Sequence, residues 1–183
     1  MKYSELYSRI LEQLKDTAGN VSDEEVDTMI DAIMNAKQIF IGGAGRSLLM
    51  MRSLAMRLMQ FGFNSHVVGD TTTPAIREGD LLILGTNSGE TKNLKSWVEV
   101  AKTNNAKILV ITSNPSSTIG SQADYVVRFN KIVDVDKIQS SGSSFEQSLL
   151  IFCDAVVMYL FNTRNLSSEE IDKFIRIKHA NLE

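Results

Sequence analysis

Two hydrophobic periods alternate along this chain. Short runs of consecutive apolar residues predict five buried strands, at 38–41, 64–68, 81–84, 107–112 and 125–129. Between and around them, apolar residues that recur every three or four positions predict helices at 3–15, 46–62, 91–104 and 145–165. Two further helices are expected to begin at serines, since Ser22 opens a capping box with Glu25 and Ser167 precedes a second acidic pair.

The order of these elements predicts the fold class. Strands that are apolar on both faces and alternate with helices are typical of a parallel sheet covered on both sides. We therefore expect an α/β, three-layer sandwich with a five-stranded parallel, flavodoxin-like sheet of strand order 2-1-3-4-5. A chain of 183 residues suits one domain over 1–183, with N-terminal helices (1–36), a sheet core (37–130) and C-terminal helices (145–177).

Composition and charge exclude several other classes of protein. Apolar residues make up 43% of the chain, which is too many for a disordered protein. The net charge of −3 comes from well-mixed charges and argues against a nucleic-acid partner. No uninterrupted apolar stretch of about 18 residues and no signal-peptide core are present, so we expect a cytoplasmic protein with no membrane partner. The single cysteine, Cys153, is expected in the core.

The candidate chemistry begins at the third predicted strand. The segment LLILGTNSGET, at 81–91, runs from an apolar strand directly into a helix. Its hydroxyls and the first N–H groups of the helix can all donate hydrogen bonds to one phosphate. The polar residues of this anion cradle are Thr86, Asn87, Ser88 and Thr91.

A second glycine-rich turn, GGAGRS at 42–47, follows the first predicted strand. In the expected strand order these two turns flank the switch point, outside which ligands bind in doubly wound sheets. Gly45, Arg46 and Ser47 at the helix entry suit a small phosphate or a sugar. The two turns together predict that a phosphorylated small molecule binds between them.

Simpler interpretations of these motifs remain open. Leu48 stands where a dinucleotide fingerprint has its third glycine, and Asp70 alone favours a nucleotide ribose, so a nicotinamide cofactor is disfavoured. The first turn can be a tight strand-to-helix turn with Arg46 facing solvent. One hydroxyl of the cradle is expected to cap its helix, but three hydroxyls exceed that need.

The remaining candidates are single side chains. Glu146 opens an apolar helix, where the helix dipole alone would favour an acid. His66 lies in a strand and is expected to be structural, whereas His179 lies in a polar tail. No His, Cys or carboxylate spacing indicates a metal site. The helix at 46–62, with Met50, Met51, Met56 and Met59, is apolar nearly all round, which predicts core packing and a subunit interface.

At this point the chain resembles the sugar isomerase (SIS) domain family, nearly from end to end. SGET at 88–91 is similar to the family's general phosphate motif, and GAGRS at 43–47 to its first glycine turn. Further similarity lies in LAMRL at 54–58 and GDTTTP at 69–74. FEQ at 145–147 and HANLE at 179–183 resemble late motifs of the branch that isomerises hexulose phosphates. Asn87 and Leu48 depart from the family's usual residues.

The resemblance implies the SIS fold and an isomerase of the ribulose monophosphate pathway of formaldehyde fixation. The implied reaction converts D-arabino-hex-3-ulose 6-phosphate to D-fructose 6-phosphate through an enediolate, without a cofactor. By match to the family, Glu146 is the expected base, His179 polarises the carbonyl or moves a proton, and Arg46 steadies the enediolate. The expected substrate-binding residues are Gly45, Ser47, Thr86, Asn87, Ser88 and Thr91. A homo-oligomer, a tetramer or a dimer, is also implied.

Two other functions remain possible from the sequence. A non-catalytic SIS module that senses a sugar phosphate would keep the motif at 88–91 but would need neither Glu146 nor His179. An isomerase of another sugar phosphate would keep the fold, although such relatives tend to carry extra domains or different histidines. A panel of sugar phosphates distinguishes the three.

Overall fold

Five parallel strands form the middle layer of the structure, a computed structural model that describes residues 1–132, 138–163 and 167–179. The strands lie in the order β2-β1-β3-β4-β5, and every neighbouring pair is parallel. Their bounds are β1 Ile39–Gly43, β2 Ser65–Val67, β3 Leu81–Gly85, β4 Lys107–Thr112 and β5 Tyr125–Arg128. The fold class and the strand order expected from the sequence are confirmed.

Helices cover both faces of this sheet. They are α1 Tyr3–Ala18, α2 Asp23–Asn35, α3 Gly45–Gln60, α4 Lys92–Thr103, α5 Ser143–Thr163 and α6 Ser168–Lys178. Alternate strand residues point to opposite sides: Ile41 and Ile83 join the core with α2, α3 and α5, while Leu82 and Val110 join the core with α4. The strands are therefore apolar throughout because both of their faces are buried.

Two helices begin as their sequences predict. Ser22 and Ser167 each accept a hydrogen bond through the side chain from the backbone N–H three residues later. The carboxylates of Glu25 and Glu170 in turn each accept one from the serine N–H. These complete capping boxes satisfy the first N–H groups of α2 and α6. Glu25 also accepts a hydrogen bond from the N–H of Arg128, which ties α2 to the end of β5.

Helix α5 is the longest and most apolar helix that the structure describes. By length and composition alone, Ser143–Phe161 could cross a membrane, although Glu146 and Asp154 interrupt its apolar residues. Half of this segment is buried inside the protein, against α1 and α3. Cys153 is fully buried in it, as expected, and burial raises the pKa of its thiol. The helix therefore belongs to the core.

Candidate active site

The carboxyl edge of the sheet brings the two glycine-rich turns together. Gly43 at the end of β1 pairs with Gly85 at the end of β3, and Gly85 pairs in turn with Ile111 of β4. The β1–α3 turn (44–47) and the β3–α4 loop (86–91) therefore leave the sheet side by side. This is the arrangement that the predicted strand order required of a ligand site.

Hydrogen bonds within the β3–α4 loop give it a tight curl. The Thr86 hydroxyl accepts a hydrogen bond from the N–H of Gly89, at 3.2 Å. The Ser88 hydroxyl accepts one from the N–H of Glu90, at 3.3 Å. Gly89 has a φ of +66°, a left-handed conformation that a residue with a side chain rarely adopts. Two of the three hydroxyls that the sequence singled out thus shape the loop.

Two helices that start at this edge, α3 and α4, lack a side-chain cap. Ala44 and Thr91 hold the N-cap positions of α3 and α4, and neither makes a capping hydrogen bond through its side chain. The expectation that a hydroxyl would cap α4 is therefore wrong. Because the first N–H groups of a helix need acceptors and carry its positive dipole end, these two ends offer donors to an anion. Helices α2 and α6 have capping boxes, whereas α1 also lacks a side-chain cap, so what distinguishes this edge is that two uncapped helix ends meet there.

Two hydroxyls at this edge are available to a ligand. Ser47, in the first turn of α3, is almost fully buried, and Thr91 is half-buried. Among the described residues neither hydroxyl has a hydrogen-bond partner, which leaves each free to donate. Gly45, which has a φ of +54°, turns the chain into α3 just before Arg46.

Arg46 connects this edge to the beginning of α5. Its Nη1 atom donates a hydrogen bond to the Ser143 hydroxyl at 2.9 Å and lies 3.0 Å from Oε2 of Glu146. The Arg46 side chain is 52% exposed, whereas that of Glu146 is only 15% exposed. Oε2 of Glu146 is buried and accepts no hydrogen bond from the described residues. Arg46 thus does not simply face solvent, and Glu146 is more than a first-turn acid.

A polar cavity of about 520 Å³ opens next to the beginning of α5, and of the site residues expected from the sequence only Asn87 lines it. Asn87 and Ser113 line it from the sheet edge, Asn130 from the end of β5, and Gly142 and Ser144 from the beginning of α5. Its size and polarity suit a sugar phosphate. Ser113, Asn130 and Ser143 were not among the candidates that the sequence predicts. The signal that could have found them is the concentration of small polar residues on both sides of the last strand.

The histidines occupy different environments. Nε2 of His66 lies 3.1 Å from Oε1 of Gln38, and its ring packs on Phe40, as expected of a structural residue. His179 is exposed and directly follows α6. Asp70 forms an ion pair with Arg52 on the surface. Among the described residues, no group of three or more His, Cys, Asp or Glu side chains could hold a metal ion.

Comparison with known proteins adds to this geometry. The sequence matches the SIS domain family over residues 32–158. It is 44% identical to the 3-hexulose-6-phosphate isomerase of Bacillus subtilis, with 100% of both chains covered. The protein of the same name from Mycobacterium gastri is 39% identical over 96% of this chain and 89% of its own. A crystal structure from Methanococcus jannaschii, for which that molecular function was inferred, covers 100% of both chains with 34% identity and a TM-score of 0.83.

Proposed function

The chain belongs to the SIS domain family, and we propose that it is an isomerase that interconverts D-arabino-hex-3-ulose 6-phosphate and D-fructose 6-phosphate. Full-length similarity to relatives named 3-hexulose-6-phosphate isomerase supports this substrate. The observation in the structure that carries the proposal is the Arg46–Glu146 ion pair beside two uncapped helix N-termini. The reaction belongs to the ribulose monophosphate pathway of formaldehyde fixation, in the cytoplasm.

The 6-phosphate of the sugar binds between the β1–α3 turn and the β3–α4 loop. The hydroxyls of Ser47 and Thr91 donate to its oxygens, together with N–H groups of the two helix ends. Thr86 and Ser88 hold the curl of the loop through their hydrogen bonds. The exposed Ser88 hydroxyl also donates its own proton to the phosphate. Asn87 reaches the sugar from the wall of the cavity.

Glu146 transfers the proton between C2 and C3 of the sugar. Its carboxylate removes the proton from C2, next to the C3 carbonyl, and the electrons form an enediolate across C2 and C3. The same carboxylate returns the proton to C3, while the hydroxyl at C2 gives its proton to the former carbonyl oxygen at C3 and becomes the new carbonyl. No electrons leave the sugar, so the step is balanced without a redox partner. Arg46 stabilises the negative charge that develops on the enediolate oxygen.

The exposed apolar face of α3 supports a homo-oligomer, a tetramer or a dimer, and His179 is proposed to act within that assembly. Leu49, Met56 and Met59 are exposed on α3, although the helix also buries Met51 and Leu54 against the sheet. Burying these three side chains against a second copy of the chain would complete the two-sided burial that the sequence predicts. His179 then acts on the carbonyl, or moves a proton between hydroxyls, in a site formed at that contact.

The proposal is tested by incubating the protein in D₂O with a panel of hexulose, pentose and heptose phosphates. NMR spectroscopy should show deuterium entering at C2 of the hexulose 6-phosphate and at C3 of fructose 6-phosphate as the two sugars interconvert. Exchange with another sugar phosphate alone would assign the protein to a different isomerisation. Tight binding of a sugar phosphate without any exchange would indicate a sensor and overturn the proposal.

A further inference from the structure

The back of the β3–α4 loop is held by the segment that follows β4 (112–119). Three successive carbonyl oxygens of the loop accept hydrogen bonds from this segment. The Thr112 hydroxyl donates to the carbonyl of Asn87 at 3.3 Å, and the Asn114 amide donates to that of Ser88 at 3.2 Å. The N–H of Ile119 donates to the carbonyl of Gly89 at 3.1 Å.

This arrangement sets the direction of the loop's dipoles. The C=O and N–H groups that flank a peptide bond point in opposite directions, so carbonyls turned towards the 112–119 segment leave N–H groups turned away from it. The N–H groups of Gly89 and Glu90 then donate to the hydroxyls of Thr86 and Ser88, and each of these hydroxyls keeps its own proton to donate to an anion. The 112–119 segment thus fixes the polarity of the loop through its carbonyl groups, and Ser113 of the same segment also lines the cavity.

Glu90 fastens the same segment by its side chain. Its two carboxylate oxygens accept hydrogen bonds from the N–H and the hydroxyl of Thr118, each at 2.8 Å. Lys95, in the first turns of α4, forms an ion pair with the same carboxylate. The hydrogen bonds from Lys95 and Thr118 lower the pKa of Glu90 from 4.5 to about 2. Glu90 therefore stays charged, and Lys95 neutralises that charge beside an anion site.

Close packing leaves little freedom between the two segments. Gly89 lies directly against Ser117, where any Cβ on Gly89 would overlap the Ser117 hydroxyl. That hydroxyl accepts a hydrogen bond from the N–H of Gly120 and is fixed in place. A displacement of the 112–119 segment would therefore be transmitted to the loop.

We propose that Glu90 is a positioning residue of the phosphate site: it locks the 112–119 segment onto the back of the β3–α4 loop, and Lys95 cancels its charge. This inference rests on the proposed function, in which the sugar phosphate binds in that loop. Glu90 touches neither the phosphate nor the reacting carbons, and it acts through the orientation of the loop's N–H groups.

Four variants test the two parts of this role. Glu90→Ala removes both the lock and the charge. Glu90→Gln keeps one oxygen acceptor and one donor for Thr118 and loses only the charge. Lys95→Met leaves the Glu90 charge uncompensated, and the double variant Glu90→Gln with Lys95→Met removes that repulsion again. Glu99→Gln, an exposed carboxylate on the same helix, is the matched control for a loss of charge.

The measurements are KM and kcat for the sugar phosphate and, by calorimetry, the affinity for inorganic phosphate. Glu90→Ala should raise KM and the phosphate dissociation constant together by roughly tenfold, with kcat within about twofold. Glu90→Gln should stay close to the parent. Lys95→Met should raise KM at low ionic strength, and this increase should be smaller at high salt because the charges are screened. The double variant should have the parental KM again.

Several outcomes would overturn the inference. If Glu90→Ala lost thermal stability but kept its KM and its phosphate affinity, Glu90 would have only a structural role. If Glu90→Gln and Glu99→Gln both raised KM strongly and to the same extent, the change in KM would come from the net charge of the protein and not from the position of Glu90. If the parent protein turns over no hexulose phosphate, the proposed function fails, yet the phosphate affinities of the same variants still decide whether Glu90 positions the loop.

Discussion

The Nη1 atom of Arg46 lies 3.0 Å from Oε2 of Glu146, and the pair joins the first turns of α3 and α5. At the other ends of the same two helices, the rings of Phe61 and Phe161 pack edge to face. The two helices therefore run side by side in the same direction, and both begin at the carboxyl edge of the sheet. A carboxylate that has a cation beside it but no hydrogen-bond donor on its buried oxygen is well placed to accept a proton.

The first prediction concerns this carboxylate. Glu146→Gln keeps the shape of the side chain and removes the base, so kcat should fall by about 10²- to 10⁴-fold, the usual contribution of general acid–base catalysis. The melting temperature should change little, because the Arg46 side chain is 52% exposed and an ion pair open to solvent contributes only about 0–1 kcal/mol. Steady-state kinetics and deuterium exchange at C2 measure the effect.

A matched control for this variant lies on the same helix. Asp154→Asn removes a partly exposed carboxylate that pairs with Arg57, at 3.5 Å, and should leave kcat unchanged. Exchange of the C2 proton at the parental rate in Glu146→Gln would assign the base to another group.

The second prediction separates binding hydroxyls from those that shape the loop. Thr91→Ala and Ser88→Ala should each raise KM by roughly tenfold, since a hydrogen bond to a charged group contributes about 1.5–3 kcal/mol. Thr91→Ala should leave the melting temperature unchanged, because its hydroxyl has no partner among the described residues. Thr86→Ala should lower both affinity and stability, since the buried Thr86 hydroxyl accepts from the N–H of Gly89.

Thr103→Ala provides the control for these hydroxyl variants. Its hydroxyl donates only to a carbonyl of its own helix, at the end of α4 away from the loop. KM should therefore stay at the parental value in Thr103→Ala. Parental KM values in both Thr91→Ala and Ser88→Ala would place the phosphate elsewhere on the protein.

The third prediction is that His179 serves the site of a neighbouring subunit. Because α3 and α5 start at the site and run away from it, α6 begins near the far ends of those helices. Its 11 residues rise about 16 Å, whereas α5 rises about 22 Å between Glu146 and Phe161. Even if it ran straight back, α6 would bring His179 short of the Glu146 of its own chain.

Complementation tests this sharing of residues. Homo-oligomers of Glu146→Gln and of His179→Ala should each be nearly inactive. Mixed oligomers, refolded from the two variants together, should regain a fraction of the parental activity, because some sites then combine an intact Glu146 with an intact His179. Mixed oligomers that form without any return of activity would show that each site depends on its own chain alone.

The fourth prediction is the pH dependence of the Glu90 lock. The pKa of Glu90 is about 2 in the folded protein against an ordinary 4.5, so its contribution to stability is complete above pH 4.5 and is lost as the pH falls towards 2. The parent should therefore unfold at higher urea concentration than Glu90→Gln above pH 4.5, and the difference should narrow below it. The difference in urea midpoint between Glu99→Gln and the parent should not change with pH in this way. A difference between Glu90→Gln and the parent that is the same at every pH would contradict the contribution of the charged Glu90.

The sequence by itself determined the layers of this protein and the edge at which its site lies. Apolar runs such as that of β4 can be buried on both faces only inside a parallel sheet, and the alternation of strands with helices then predicts the strand order. Because the carboxyl ends of β1 and β3 are neighbours in that order, the turns that contain Ser47 and Thr91 had to meet. The Ser22 capping box could also be predicted from the sequence, since its hydrogen bonds depend only on residues that lie close together in the chain.

Only the tertiary structure decided how distant residues combine at that edge. The ion pair of Arg46 with Glu146 and the hydrogen bond from Thr118 to Glu90 join segments that lie far apart in the chain. No periodic pattern in the sequence therefore predicts these contacts. The missing cap of α4 is the local feature that the sequence did not predict, because the Thr86 and Ser88 hydroxyls accept hydrogen bonds within the loop that precedes the helix. Burial and dipole direction depend on where whole elements pack, and packing is a property of the folded chain rather than of any single segment.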